Sequence, residues 1–168
     1  MTGVSRGSRG RHARPKPHRR ARSASAVAVL SAAALVGPSV LLTQPAQAAE
    51  STGNRVLDKA ETKTGHWYSY GSAGPTYFDC SGLVYWAAHQ LGINIPRTTY
   101  GMLADTRHFY RIPVSEARRG DILFFGSGHE ELDTRWYHTS FGAHKSGTRV
   151  GWRPWNAYYQ PTEALRFR

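Results

Sequence analysis

The chain has 168 residues, a single cysteine and a formal charge of +11, from 22 Lys+Arg against 11 Asp+Glu. That length allows one ordinary domain, and one cysteine excludes a disulfide framework or a Cys-rich zinc module. A charge this high points first to nucleic acid or another anionic partner, but its placement removes that reading. Residues 1–22 carry eight basic residues and no acid, and the rest of the chain keeps 14 basic against 11 acidic, a balance of only +3.

The basic tail runs into an apolar stretch, Ala24–Leu35, which Gly37-Pro38 interrupt before Val40-Leu41-Leu42 and Ala46-Gln47-Ala48. A positive segment, a short apolar segment and an A-x-A site make a secretory signal peptide. An anchor helix needs about 20 unbroken apolar residues, which Gly37-Pro38 deny. We therefore expect residues 1–48 to be a signal peptide, with cleavage near Ala48-Ala49 and a domain over 49–168. Arg19-Arg20 hints at the twin-arginine route, but the following Ala21-Arg22-Ser23 lacks its bulky apolar residues, so the route stays open. The product would be secreted or wall-associated, without stable membrane insertion.

Beyond a polar lead at Ser51–Asn54, the composition of Val56–Lys63 favours a short helix ended by Gly65. His66–Phe78 is rich in glycine and aromatics and reads as loop. Cys80–Leu91 is the clearest helix: Leu83, Val84, Ala87, Ala88 and Leu91 make one apolar stripe, Asp79 stands at the N-cap and Gly92 at C′. Pro96-Arg97-Thr98-Thr99 reads as a turn into a brief helix through Met102-Leu103-Ala104. Ile112–Val114 suits a short strand, and Ile122–Phe125 a buried one after the Arg119-Gly120-Asp121 turn. Glu130–Asp133 and Tyr137–His144 suggest a hairpin, and Ala164–Phe167 a closing strand.

Cys80 heads its helix in phase with the apolar stripe, and its residues alone leave two roles open. A lone cysteine is commonly a small buried hydrophobe. At position N1, however, the sulfur lies near unpaired backbone N–H groups and the positive end of the helix dipole, which stabilise a thiolate. Ser81 and Gly82 are small enough to leave space for a substrate carbonyl, which places Ser81 with the substrate-binding residues. A thiolate nucleophile needs a base. If the hairpin pairs Asp133 with His138, His129 lies diagonal to His144 at about 7–8 Å, and His138 falls about 14 Å away. His129-Glu130-Glu131-Leu132-Asp133 has the outline of a zinc-binding H-E-x-x-H with Asp for the second His. That motif needs a helix, which the preceding Gly126-Ser127-Gly128 and the shortness of the run disfavour. No metal or other cofactor is expected.

Phe78-Asp79-Cys80-Ser81-Gly82-Leu83-Val84, Ile95-Pro96-Arg97-Thr98-Thr99-Tyr100 and Arg119-Gly120-Asp121-Ile122-Leu123-Phe124-Phe125 together resemble the NlpC/P60 family over roughly Val56 to Arg168. The resemblance implies an α+β papain-like fold, small helices on an antiparallel sheet with the cysteine at a helix N-terminus. It implies a cysteine peptidase acting on peptidoglycan stem peptides, with Cys80 as nucleophile, His129 as base and His144 as the third polar group orienting the imidazole. Tyr68 matches the family tyrosine beside the active site. Asp79 matches an acid that helps hold the substrate's free amine, and it is equally suited to be a plain helix cap. Where family members often have H-V-G-I-Y, this chain has His129-Glu130-Glu131-Leu132-Asp133, and two acids beside the base would raise the pKa of His129. Other readings are an amidase or acyltransferase using the same site, or a catalytically silent wall-binding domain. The expected partner is the peptidoglycan stem, not nucleic acid, and the expected state is a monomer. Trp152, Trp155, Tyr158 and Tyr159 either cover the small core or stack on glycan sugars.

Overall fold

A computed structural model describes residues 50–168. The expected signal peptide and its cleavage site lie outside the described residues, and no helix among those described is long and apolar enough to cross a membrane.

The first helix, α1 (Thr52–Glu61), begins earlier than its composition suggests because Ser51 caps it, its side chain accepting the Asn54 N–H at 3.2 Å. Gly53, Val56, Leu57 and Ala60 form its buried face, the i, i+3, i+4, i+7 pattern of an amphipathic helix. The glycine-aromatic segment read as loop contains two short parallel strands, β1 (Trp67–Tyr68) and β2 (Tyr77–Phe78). Phe78 is their anchor, fully buried with its ring edge-to-face on Trp86 at 5.6 Å. Burying such a ring is worth about 1.5–3 kcal/mol, enough to fix the residues immediately before Cys80.

Helix α2 (Cys80–Gln90) follows with the N-cap expected of Asp79, whose Oδ1 accepts the Gly82 N–H at 2.6 Å. It ends in a Schellman arrangement. Gly92, at φ 77°, donates to the His89 carbonyl, and Ile93 N–H reaches back to that of Ala88, each at 3.0 Å. A third helix, α3 (Thr99–Ala104), is capped by Thr98.

The remaining elements build one antiparallel sheet: β3 (Phe109–Ile112), β4 (Ile122–Phe124), β5 (Glu130–Asp133), β6 (Thr139–Gly142), β7 (Gly151–Pro154) and β8 (Glu163–Phe167). The spatial order is β3-β8-β4-β5-β6-β7, so the closing strand inserts between β3 and β4. The expectation of helices on an antiparallel sheet is met. The strand expected at Ile112–Val114 sits earlier, at Phe109–Ile112, where it can pair with β8 in register Phe109↔Phe167. Strand β7 had no sequence signal, because its alternation of half-buried and exposed residues ends in Pro154 at the sheet edge.

Cross-strand partners share a face, and Ile122, Phe124, Leu132, Phe141 and Leu165 together form the helix-facing side of the core. The Gly120-Asp121 turn ties this sheet to α1 and fixes β8. A side chain on Gly120, at φ 86°, would lie 2.1 Å from the Gly53 carbonyl carbon in α1. Asp121 is buried and accepts from Arg166 of β8 through Nε and Nη2, at 3.0 and 2.8 Å.

Candidate active site

The N-terminus of α2 opens onto a cleft of about 520 Å³ lined by Tyr68, Asp79, Cys80, Ser81, Arg97, His129 and His144, among others. All six residues expected at the site therefore meet in one place. Cys80 is 8% exposed, at the first helical position, and shares the cleft with His129, whose pKa it raises. His129 enters from the sheet side, after a tight Gly126-Ser127-Gly128 turn closed by Phe125 N–H to its carbonyl at 2.9 Å.

The hairpin register differs from the expected one. Asp133 pairs with Ser140 and Leu132 with Phe141, not Asp133 with His138. The turn at 134–138 absorbs the two-residue difference: Arg135 and His138 take positive φ, and Thr134 Oγ1 donates to the Thr139 carbonyl at 2.7 Å. A shift of two keeps every side chain on its face. Carried past the ladder, the register sets His129 directly opposite His144, with ring centroids 5.1 Å apart. His138 instead lies in the turn, stacked on Trp155 at 4.3 Å.

His144 does not reach a nitrogen of His129. Between the two rings stands the carboxylate of Glu131, whose Oε1 lies 3.1 Å from His129 Nε2 and 3.3 Å from His144 Nδ1. Burial opposes a charge on His129, but the neighbouring Cys80 and the hydrogen bond to Glu131 outweigh this and raise its pKa to about 9. The direction is the one expected from the paired acids; of the two, Glu131 raises the value, alongside Cys80. For Glu131 itself burial also opposes charge, and contacts with His129, His144 and Ser140 bring its pKa down to about 2. The run Glu130–Asp133 is strand and not helix, so His129 and Asp133 do not share a helix face as a zinc motif would require. The donor atoms of His129, Glu131 and His144 lie within 4.8 Å of one another. The cation placed beside them is Arg153, with Nε 3.4 Å from Glu131 Oε1.

Glu130 points the opposite way, into the core opposite Phe124. Both its oxygens lack a hydrogen-bond partner, and burial pushes its pKa up to about 7. A carboxyl that binds its proton more tightly folded than unfolded loses stability as pH rises from about 4.5 to about 7. Glu130→Gln removes that loss. Relative to wild type, the variant is expected to gain about 1–3 kcal/mol between pH 5 and pH 8 in denaturant titrations. An unchanged difference at the two pH values would show Glu130 to be ionised throughout.

On the other side of Cys80, Asp79 is the helix cap and more. Its Oδ2 accepts the Gly71 N–H and Arg97 Nη2, both at 2.8 Å. Arg97 Nη1 also donates to Ser81 Oγ at 2.9 Å, so one guanidinium clamps both residues beside Cys80. The sequence alone assigns Arg97 no role, because nothing local links it to residues 16 and 18 positions away. Burial, with Cys80 and Asp79 next to it, raises the pKa of Tyr68. The aromatic cluster divides. Tyr159 stacks on Phe125 at 4.6 Å and meets the edge of His144, which places it at the site. Trp152 packs half-exposed on Phe141, and Tyr158 is fully exposed.

A cysteine at a helix start and a histidine from the sheet side meet in one cleft. The NlpC/P60 family model matches residues 65–142, which hold Cys80, His129 and Glu131 and stop two residues short of His144. The chain belongs to the NlpC/P60 family. It is 44% identical over 80 residues to a probable endopeptidase of Corynebacterium glutamicum, covering 48% of this chain and 37% of that protein. It is 40% identical over 76 residues to the bifunctional muramidase/DL-endopeptidase CwlT of Bacillus subtilis, covering 45% of this chain and 22% of that one. The chain thus spans well under half the length of these two curated relatives. The solved peptidoglycan hydrolase RipB of Mycobacterium tuberculosis superposes with a TM-score of 0.58 at 25% identity, covering 68% of this chain and 64% of that one. The NlpC/P60 fold expected from the sequence is the fold observed.

Proposed function

We propose that this NlpC/P60 chain is a cysteine peptidase that hydrolyses amide bonds in peptidoglycan stem peptides outside the cell, after export directed by residues 1–48. The observation that carries the reading is Cys80, first on α2, and His129 meeting in one cleft, close enough for Cys80 to raise the pKa of His129. The names of its relatives, endopeptidase and peptidoglycan hydrolase, supply the substrate class.

The chemistry follows from the placement. Nε2 of His129 faces Glu131, which leaves Nδ1 for the Cys80 thiol. Proton transfer within the pair gives a thiolate and an imidazolium. The thiolate attacks the scissile carbonyl carbon. The N–H groups of Cys80 and Ser81, which have no carbonyl four residues back, are available to the oxyanion, that of Gly82 being taken by Asp79. The imidazolium gives its proton to the leaving amine as the C–N bond breaks. Water, deprotonated by His129, then attacks the thioester, and the C–S bond breaks to release a carboxylate. In this reading Tyr68, Asp79 and Ser81 contact the substrate. Because Asp79 already accepts from Gly82, Gly71 and Arg97, a substrate amine shares its carboxylate with these donors.

Purified protein incubated with muropeptides, with products identified by mass spectrometry, tests the reading. New fragments from a single split within the stem are expected, abolished by iodoacetamide and unaffected by EDTA. Intact muropeptides, cleavage between sugars, or inhibition by EDTA alone would reject it.

A further inference from the structure

We propose that Glu131 is the positioning residue of this site, setting both the orientation and the charge of His129, with His144 acting on the histidine only through it. This rests on the Cys80–His129 reading above.

Glu131 in β5 lies two residues after His129, which leads directly into that strand, and the period of two puts both on the same face. Its space there exists because the residue opposite is Gly142. A Cβ at that position would lie 2.7 Å from Glu131 Cγ. The carboxylate is 1% exposed, and a charge so buried persists only with partners. Its partners converge from three strands. His129 Nε2 lies 3.1 Å from Oε1, Ser140 Oγ donates to Oε2 at 2.5 Å, and His144 Nδ1 and Arg153 Nε approach Oε1 at 3.3 and 3.4 Å. His144 Nδ1 and Arg153 Nε form no aligned hydrogen bond of their own, so they act on the oxygen mainly as charge and edge. The His144 ring stands edge-on to His129, interplanar angle 89°, and offers it no acceptor.

The chemical consequence is specific. A neutral third residue can orient the imidazole, whereas a carboxylate also favours its protonated form, by about 1–3 pH units at this range. The groups facing His129 are Cys80 from α2, with Tyr68 beside it, and Glu131 on its own strand. His144 lies beyond β6, and Arg153 from β7 and Tyr159 lie behind Glu131. Of these Glu131 and a Cys80 thiolate are the anions in contact with the ring, and Glu130, turned to the opposite face of β5, acts on it by charge alone. The thiolate–imidazolium pair is thus held into alkaline solution by a buried charge that the NlpC/P60 resemblance did not lead one to expect at position 131.

The test is the pH dependence of Cys80 alkylation by iodoacetamide, read without substrate, so that a failure of the peptidase reading leaves it intact. In wild type the limb that reports loss of the imidazolium is expected near pH 9, and in Glu131→Gln about 1–3 units lower. On a cleaved muropeptide, kcat of Glu131→Gln at pH 8 should fall about 10²-fold with KM little changed. His144→Ala should leave the alkylation limb within about half a unit of wild type. A wild-type limb near the ordinary histidine value overturns the proposal even if Glu131→Gln does not fold. So does a limb that moves in His144→Ala and stays in place in Glu131→Gln.

Discussion

Cys80→Ala is expected to lower stem-peptide hydrolysis by at least about 10³-fold, with thermal melting unchanged or slightly raised. The size follows from the role. Removing the sulfur removes the covalent intermediate, and neither His129 nor the cleft can replace it with an equally placed water. The stability side follows from packing. The side chain sits at the end of α2 with its sulfur towards the cleft, and the core stripe of Leu83, Val84, Ala87 and Ala88 is complete without it. Activity assay and calorimetry on the same preparation separate the two. A variant that unfolds would make Cys80 a structural residue, the alternative that its residues alone left open. A variant that still cleaves would place the chemistry elsewhere.

The second large effect concerns a residue with no side chain. Gly82→Ala is expected to destabilise the protein by about 2–4 kcal/mol and to abolish activity. A Cβ at Gly82 would lie 2.1 Å from the Ser72 backbone oxygen, 2.7 Å from Asp79 Oδ1 and 2.9 Å from Arg97 Nη2. The first of these is main chain, fixed by the Asp79 N–H bond to that same carbonyl at 2.8 Å. The other two belong to the clamp that caps α2 and holds Ser81. The strain therefore falls on the residues that aim Cys80. Urea denaturation and the alkylation rate of Cys80 read the two consequences. An alanine variant as stable and as reactive as wild type would show that the 69–72 loop yields freely, and that the clamp does not hold the nucleophile.

Most of the site was legible because its signals are local. Asp79, Cys80 and Gly82 follow one another at a helix start, and the cap and the N1 position can be read from five residues. The end of α2 at Gly92 was equally plain. What escaped depends on pairing across the sheet. The hairpin register was off by two because the turn uses positive φ at Arg135 and His138, residues that do not advertise it. The parity of the shift preserved the meeting of His129 and His144. The same uncertainty hid Glu131 as the group between them, since its contacts with Ser140 and Arg153 need the pairing of β5, β6 and β7. Arg97 was missed for a like reason, its partners lying across the cleft in α2. Strand β7 and the fate of Tyr159 lay in a segment whose aromatics fit either covering or binding, and only tertiary packing separates them.

The most direct test of the whole account is the intact mass of the protein, acid-quenched during reaction with purified muropeptides. The account predicts an adduct on Cys80 equal in mass to the acyl half of the cleaved stem, absent from Cys80→Ala, together with free products in wild type. Cleavage that persists in Cys80→Ala without any adduct would contradict it.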